Sequence, residues 1–282
     1  MKVLISGSHG LIGTALVTQF TESGHEIQRL GRNLSEPLNM EGVNAVIHLA
    51  GENIAQGRWN DKKKKTIRES RVAGTKALSE QIAQSKHKPR VFISGSAIGY
   101  YGDRGDIKLD EKSSPGSGFL PDVCEEWENC THAASDAGVR TVQLRTGIVL
   151  SNQGGALRKM LPPFKMGGGG VLGNGNQYMS WISIEDMVGA ILHIIEHEEI
   201  SGAVNMVAPT PHTNKEFTKA LGKVLKRPTI MPMPAFAARL LFGEMADALL
   251  LSSTRVIPTV LLHSEYTFKH PDLESALKAV LI

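Results

Sequence analysis

At 282 residues, 41% of them hydrophobic, the chain exceeds one average domain and suits a large α/β domain carrying a smaller partner. A formal net charge of +3, with no basic stripe interleaved with aromatics, argues against a nucleic-acid partner. Two cysteines make no disulfide framework, no apolar run reaches bilayer length, and "MKVLISGSHG" enters a strand with no signal peptide ahead of it. The expectation is a cytoplasmic protein with no membrane partner.

The first half alternates strand and helix. "KVLISG" (2–7) is a short apolar run ending in glycine, and "LIGTALVTQFTES" (11–23) has helical periodicity. Strands follow at 25–31 and 44–51, then a long polar helix over roughly 60–85. Its "KKKK" run (62–65) reads as a solvated face. "RVFISGS" (90–96) is a strand, "GSGFLPDVCEEWENC" (116–130) opens a helix with a buried stripe, and "RTVQLRTGIVL" (140–150) is the next strand. Apolar strands alternating with helices predict a Rossmann-type α/β fold, a parallel sheet flanked by helices.

After residue 150 the chain turns glycine- and proline-rich, with one short helix. A helix over 183–197 and a strand at 202–208 return to the sheet, and from Pro209 the chain is mostly helical. Residues 1–150 with about 182–208 are therefore expected to form the cofactor domain. Residues at about 151–181 and 209–282 form a smaller, mostly helical C-terminal substrate lobe.

The strongest chemical signal is "ISGSHGLIG", which places Gly7, Gly10 and Gly13 between the first strand and first helix. Glycine permits the positive φ or close approach that a pyrophosphate requires, and the helix aims free N–H groups at the anion. About twenty residues on, an NAD site places a carboxylate for the ribose 2′-hydroxyl. Here "RLGRN" offers Arg32 and no acid, and a guanidinium suits a 2′-phosphate, so NADP(H) is expected over NAD(H).

"GSHGLIG", "VIHLAGENI", "SGSAIGYYGD", "LRTGIVL" and "SWISIEDMVGAI" together resemble the short-chain dehydrogenase/reductase superfamily, extended type. The closer resemblance is to an atypical epimerase-like branch, often labelled sugar-nucleotide epimerases. "AGENIAQGRWN", "GYYGD" with a downstream "EEWE", and "STRVIPTVLLHSEYTFKHPDLESALKAVL" carry it. The last is similar to that branch's own C-terminal domain, which has no assigned function. The resemblance implies that Gly7, Gly10 and Gly13 contact the pyrophosphate, with Leu11 and Ile12 at the helix start. It places Gly31 and Arg32 by the 2′-phosphate, Leu49 and Ala50 beneath the adenosine side, Arg71 near the cofactor and Ile148 by the nicotinamide.

Typical superfamily members carry Tyr-x-x-x-Lys on the helix after the "SGSA" strand, where the ammonium lowers the tyrosine pKa for proton exchange with substrate. Leu120 and Cys124 occupy those places here, with Phe119 the alternative for the first. None can do that chemistry. Ser96 aligns with the serine that usually polarises the substrate oxygen, and with Tyr101 it offers a reduced acid/base pair. The other reading is that Tyr100 and Tyr101 pack a cleft wall. "HIIEH" (193–197) has the spacing of some zinc sites, but histidines at a helix C-terminus need no metal, and none is expected.

Two functions follow. One is an NADP(H)-dependent oxidoreductase or epimerase acting on an unknown small, nucleotide-linked or other, substrate by hydride transfer. The alternative is an NADPH-gated binding or regulatory protein with little or no catalysis.

Overall fold

A computed structural model describes residues 1–31 and 36–282. Six strands form one parallel sheet: β1 (Lys2–Ser6), β2 (Glu26–Leu30), β3 (Val43–His48), β4 (Val91–Ala97), β5 (Arg140–Thr146) and β6 (Gly202–Met206). Their order is β6-β5-β4-β3-β1-β2. Central strands read as unbroken apolar runs because both faces are covered: Val3 and Ile5 pack on one side, Leu4 on the other. β2, at the edge, is mostly exposed and accordingly polar.

Helices α1 (Leu11–Glu22) and α6 (Ile184–Glu196) cover one face, where Leu16, Phe20, Ile191 and Ile194 meet the alternate residues of the central strands. On the other face lie α2 (Asp61–Gln84), α3 (Phe119–Asn129) and α4 (His132–Asp136), with Leu78, Ile82 and Ala134 against Leu4, Val46 and Phe92. The helix predicted to open within 116–130 is followed by a second, with the break at Cys130 and Thr131. α2 starts at Asn60, whose side chain accepts the Lys63 N–H at 2.8 Å.

The expected strand over 140–150 is two. A Cβ on Gly147 would lie 2.6 Å from the Ser180 carbonyl oxygen and 2.7 Å from Val207 Cγ1, so the backbone passes there only as glycine. Beyond it, Ile148–Leu150 leaves the main sheet and pairs with Trp181–Ser183.

The C-terminal part has its own core. Leu157, Leu161 and Phe164 of α5 (Gly155–Lys165) meet Phe217 and Leu221 of α7 (Asn214–Leu225) and Leu277 of α10 (Leu273–Leu281). Thr213 and Glu216 close a reciprocal capping box at the start of α7. Further helices are a short 3-10 turn at Ile98–Tyr101, α8 (Ala235–Phe242), a π-helical turn at Ala246–Leu251 and α9 (Thr259–His263).

Two charged side chains tie the parts together. Arg140 donates to the carbonyls of Ile194, Ile195, His197 and Ile200 at 2.8–3.2 Å, closing the end of α6. Asp186, 1% exposed, accepts the backbone N–H of Lys269 at 2.7 Å and of His270 at 2.9 Å, the Ser183 hydroxyl at 2.8 Å and the Tyr266 hydroxyl at 3.2 Å. The C-terminal segment is thereby latched to the first turn of α6.

Candidate dinucleotide site and its surroundings

Strand order reverses between β1 and β3, and the crevice outside their carboxyl ends is where ligands of open α/β sheets bind. Gly7, at φ 70°, ends β1 there. A Cβ on it would lie 2.7 Å from the Leu49 carbonyl carbon and 2.8 Å from the Ala50 nitrogen. A Cβ on Gly13 would lie 2.2 Å from the Gly7 oxygen. The Gly10 N–H donates to that same oxygen at 2.9 Å, and Gly10 then opens α1. The first-turn N–H groups of α1, at Leu11 and Ile12, have no carbonyl four residues back to bond and face outward. These residues fit a dinucleotide pyrophosphate: the glycines let the loop close tightly on the backbone of Leu49 and Ala50, and the start of α1 supplies N–H donors. The structure thus brings Gly7, Gly10, Leu11, Ile12, Gly13, Leu49 and Ala50 into one place. Gly154 and Gly155 lie close to Leu11: a Cβ on them would come 3.5 and 3.1 Å from its side chain.

Gly31 follows β2 and is exposed; Arg32 lies outside the described residues. Two further side chains, Arg29 and His9, stand nearby. Arg29 Nη1 lies 3.4 Å from His9 Nε2, joining the tip of β2 to the phosphate loop. Their signal was available as a basic residue on each of the two segments that border the adenosine end.

Ser96 and Tyr101 are placed in a buried network with no direct bond between them. The Ser96 hydroxyl donates to Glu128 Oε1 at 2.6 Å. Glu128 is held by Arg145 through two bonds, Nε–Oε1 at 2.9 Å and Nη2–Oε2 at 2.8 Å. Arg145 Nη1 donates to the Tyr101 oxygen at 2.9 Å, and the Tyr101 hydroxyl donates to Asn205 Oδ1 at 2.7 Å. Tyr101 is 0% exposed and Ser96 4%. Burial pushes the Tyr101 phenol up to about 12, although Arg145 pulls the other way. Burial also works against the Arg145 charge, but the Glu128 carboxylate outweighs it and holds that guanidinium above its ordinary range. The Tyr100 ring lies 3.5 Å from the same guanidinium. Arg145 and Glu128 were not singled out from sequence; the signal was an arginine inside the apolar strand "VQLRTG".

Leu120 and Cys124 lie on α3 beside Gly99, where a Cβ would come 3.4 Å from Leu120 Cβ and 3.8 Å from Cys124 Sγ. Burial pushes the Cys124 thiol up to about 12, so it stays protonated and inert near neutrality. One cation that acts on this position is Arg71. Its guanidinium donates to the Ile67 and Glu52 carbonyls at 3.1 and 3.0 Å and faces the Trp127 ring at 5.1 Å. It also borders Gly51, where a Cβ would lie 3.4 Å from Arg71 Cζ. Burial lowers the Arg71 pKa, with Cys124 and Glu52 opposing. Ile148 is half-buried, and its N–H donates to the Ser180 carbonyl at 2.9 Å.

Residues 52–60 form a strap from the end of β3 to the C-terminal lobe. Lys159 of α5 donates to the Ala55 carbonyl at 2.6 Å, and Arg58 donates to the Leu240 carbonyl of α8. Trp59 meets Phe119 edge-on at 5.3 Å. The lysine run is more engaged than a solvated face: Lys63 pairs with Glu52 at 2.5 Å, Lys64 with Glu244 at 2.6 Å and Lys65 with Glu69 at 3.6 Å. Only the last is a surface pair along the helix. His193 and His197 stack at 3.8 Å, with His193 bonded to Ser264 and His197 to Glu199.

A glycine interlock at the switch point of a parallel sheet, with a lobe over the carboxyl edge, defines a Rossmann-type dinucleotide-binding protein. The chain belongs to the NAD dependent epimerase/dehydratase family, whose model matches residues 3–206, and a domain of unknown function (DUF1731) matches residues 233–280. An epimerase family protein of Mycobacterium bovis is 41% identical over 290 residues, covering 98% of this chain and 96% of the relative. The crystal structure of the human epimerase family protein SDR39U1 with NADPH matches at a TM-score of 0.94 and 33% identity, covering 99% of each chain. A nucleoside-diphosphate sugar epimerase from Corynebacterium glutamicum matches at a TM-score of 0.80 and 38% identity, covering all of this chain and 58% of that one.

Proposed function

We propose that this protein binds NADP(H) along the carboxyl edge of the sheet and is an NADP(H)-dependent oxidoreductase or epimerase of the short-chain type, acting on a small substrate. The carrying observation is the interlock of Gly7 and Gly13 with the loop's own backbone and that of Leu49 and Ala50, which fixes the turn ahead of the α1 N-terminus at the sheet's switch point. Choice of NADP(H) is supported by Arg32 in the sequence, by Arg29 and His9 at the phosphate loop, and by the NADPH held by the human relative. When bound, the nicotinamide supplies or accepts a hydride. The chain's own residues bind the pyrophosphate through Gly7–Gly13, and the strap with Trp59 and Phe119 walls the cleft from water. Ser96 and Tyr101 hold α3 and β6 in register rather than trading protons with substrate.

That last assignment favours a second reading. Both hydroxyl protons are committed inside the protein, and Leu120 and Cys124 have none to offer near neutral pH. Under this reading NADPH is a ligand whose occupancy sets the strap and the lobe, with little or no turnover.

Titration of the protein with NADPH and with NADH, alongside Arg32→Ala and Gly10→Asp, tests the shared part. NADPH is expected to bind well ahead of NADH, Arg32→Ala to erase the difference, and Gly10→Asp to abolish both. Failure of both cofactors to bind refutes both readings. A screen for substrate-dependent loss or gain of NADPH absorbance then separates them.

A further inference from the structure

Six of the ten exposed large apolar side chains among the described residues are Met166, Ile230, Met231, Phe236, Leu240 and Leu241. They occupy two segments of the C-terminal lobe that run side by side. The Met233 N–H donates to the Val171 carbonyl, the Gly173 N–H to the Met233 carbonyl, and Leu172 bridges Met233 in parallel. A Cβ on Gly167 would lie 3.8 Å from Pro228 Cγ, which sets the turn at Lys165–Met166 beside the one at Lys226–Arg227. Met166 is 80% exposed, Ile230 79% and Leu240 74%, which is far from what a sealed core leaves outside.

Charge distinguishes this face from an ordinary sticky patch. Residues 151–184 and 217–243 contain eight lysines and arginines and no aspartate or glutamate. Lys165, Lys226 and Arg227 flank the apolar side chains, are exposed, and have no salt bridge among the described residues. Lys226 sits at φ 54°, closing α7 in the left-handed position that glycine fills at lower cost. A lysine there keeps a cation at the tip of the lobe at the expense of local stability.

We propose that this face docks on an anionic lipid bilayer, with Met166, Ile230 and Met231 entering the headgroup boundary and Lys165, Lys226 and Arg227 meeting lipid phosphates. Exposed apolar side chains beside unpaired cations match an anionic bilayer surface, where apolar insertion and basic attraction act together. The expectation of no membrane partner rested on the lack of a spanning run; a surface that lies against a bilayer needs none. This inference is independent of the cofactor reading.

The test is co-sedimentation of the full chain with phosphatidylcholine vesicles and with vesicles containing phosphatidylglycerol, at low and high salt. Binding is expected to the second kind only and to weaken with salt. Lys226→Gly and Arg227→Ala should each reduce the partition coefficient about fivefold, and Met231→Asp should abolish binding. All three should titrate NADPH as the parent does, and Lys226→Gly should not melt lower. Absence of binding to anionic vesicles at low salt overturns the proposal. So does binding that ignores all three substitutions. Concentration-dependent self-association lost in Met231→Asp would assign the face to a second copy and overturn it equally.

Discussion

Tyr101→Phe separates a structural tyrosine from a chemical one. The substitution keeps the buried ring and removes one oxygen. Asn205 Oδ1 then loses the donor 2.7 Å away, and Arg145 Nη1 loses an acceptor at 2.9 Å while keeping the Glu111 carbonyl at 3.2 Å. One orphaned buried acceptor and one weakened charge-assisted bond are together worth about 2–3 kcal/mol. For a chain of this size the unfolding entropy converts about 1 kcal/mol into roughly 2 °C, so the midpoint should fall by about 4–6 °C. A pH signature accompanies it. The folded pKa, about 12, lies above the unfolded value, so the stabilisation is complete below about pH 10 and disappears as pH rises toward 12. Phenylalanine removes that part of the alkaline loss. Scanning calorimetry at neutral and alkaline pH, with an NADPH titration beside it, reads all three effects. An unchanged midpoint, or unchanged stability with loss of substrate-dependent NADPH oxidation, would refute the assignment and return Tyr101 to the substrate.

Two further outcomes follow from buried groups. His48 donates or accepts at Ser6 Oγ through Nδ1 at 2.5 Å, and burial lowers its pKa to about 4. A depressed folded pKa means stability present above about pH 6.5 and lost as pH falls through 4, about 3 kcal/mol in all; urea unfolding of His48→Gln should show a flatter slope over that window, and an unchanged slope refutes it. Asp186→Asn replaces an acceptor of two backbone N–H groups by an amide that can accept at only one of its two atoms. The expected cost is about 2–4 kcal/mol, with faster hydrogen exchange confined to residues 266–282, and uniform acceleration across the sheet would contradict the latch.

What could be read from sequence was what sterics or periodicity imposes locally. Gly7, Gly10 and Gly13 announce themselves because no other residue fits such a turn, and the strands because burial on two faces demands unbroken apolar runs. Gly147 was invisible because the apolar pattern continues across it; only the Ser180 carbonyl, distant in sequence, shows why the strand must end. Ser96 and Tyr101 were found through the family resemblance, which does not say that Glu128 and Asn205 already accept their hydrogen bonds. The lysines at 62–65 looked solvated for the same reason: Glu244, which holds Lys64, lies far along the chain. α8 is the opposite case, an apolar helix whose composition predicts burial and whose Phe236 and Leu240 lie open.

The glycine interlock also bears on how a ligand would arrive. Gly7 and Gly13 are locked against backbone atoms, with the Gly10 N–H already bonded to the Gly7 oxygen. The loop therefore has its receiving shape before anything enters it, and capture of a pyrophosphate there orders no backbone. Affinity lost to conformational entropy elsewhere in such proteins is retained at this spot. The adjustable part of the binding free energy falls instead on the strap at 52–60, which hangs from α5 and α8 by single hydrogen bonds to backbone carbonyls. Capture of the dinucleotide is in this sense two events of different character: a rigid one at the phosphates and a compliant one over the rest of the molecule.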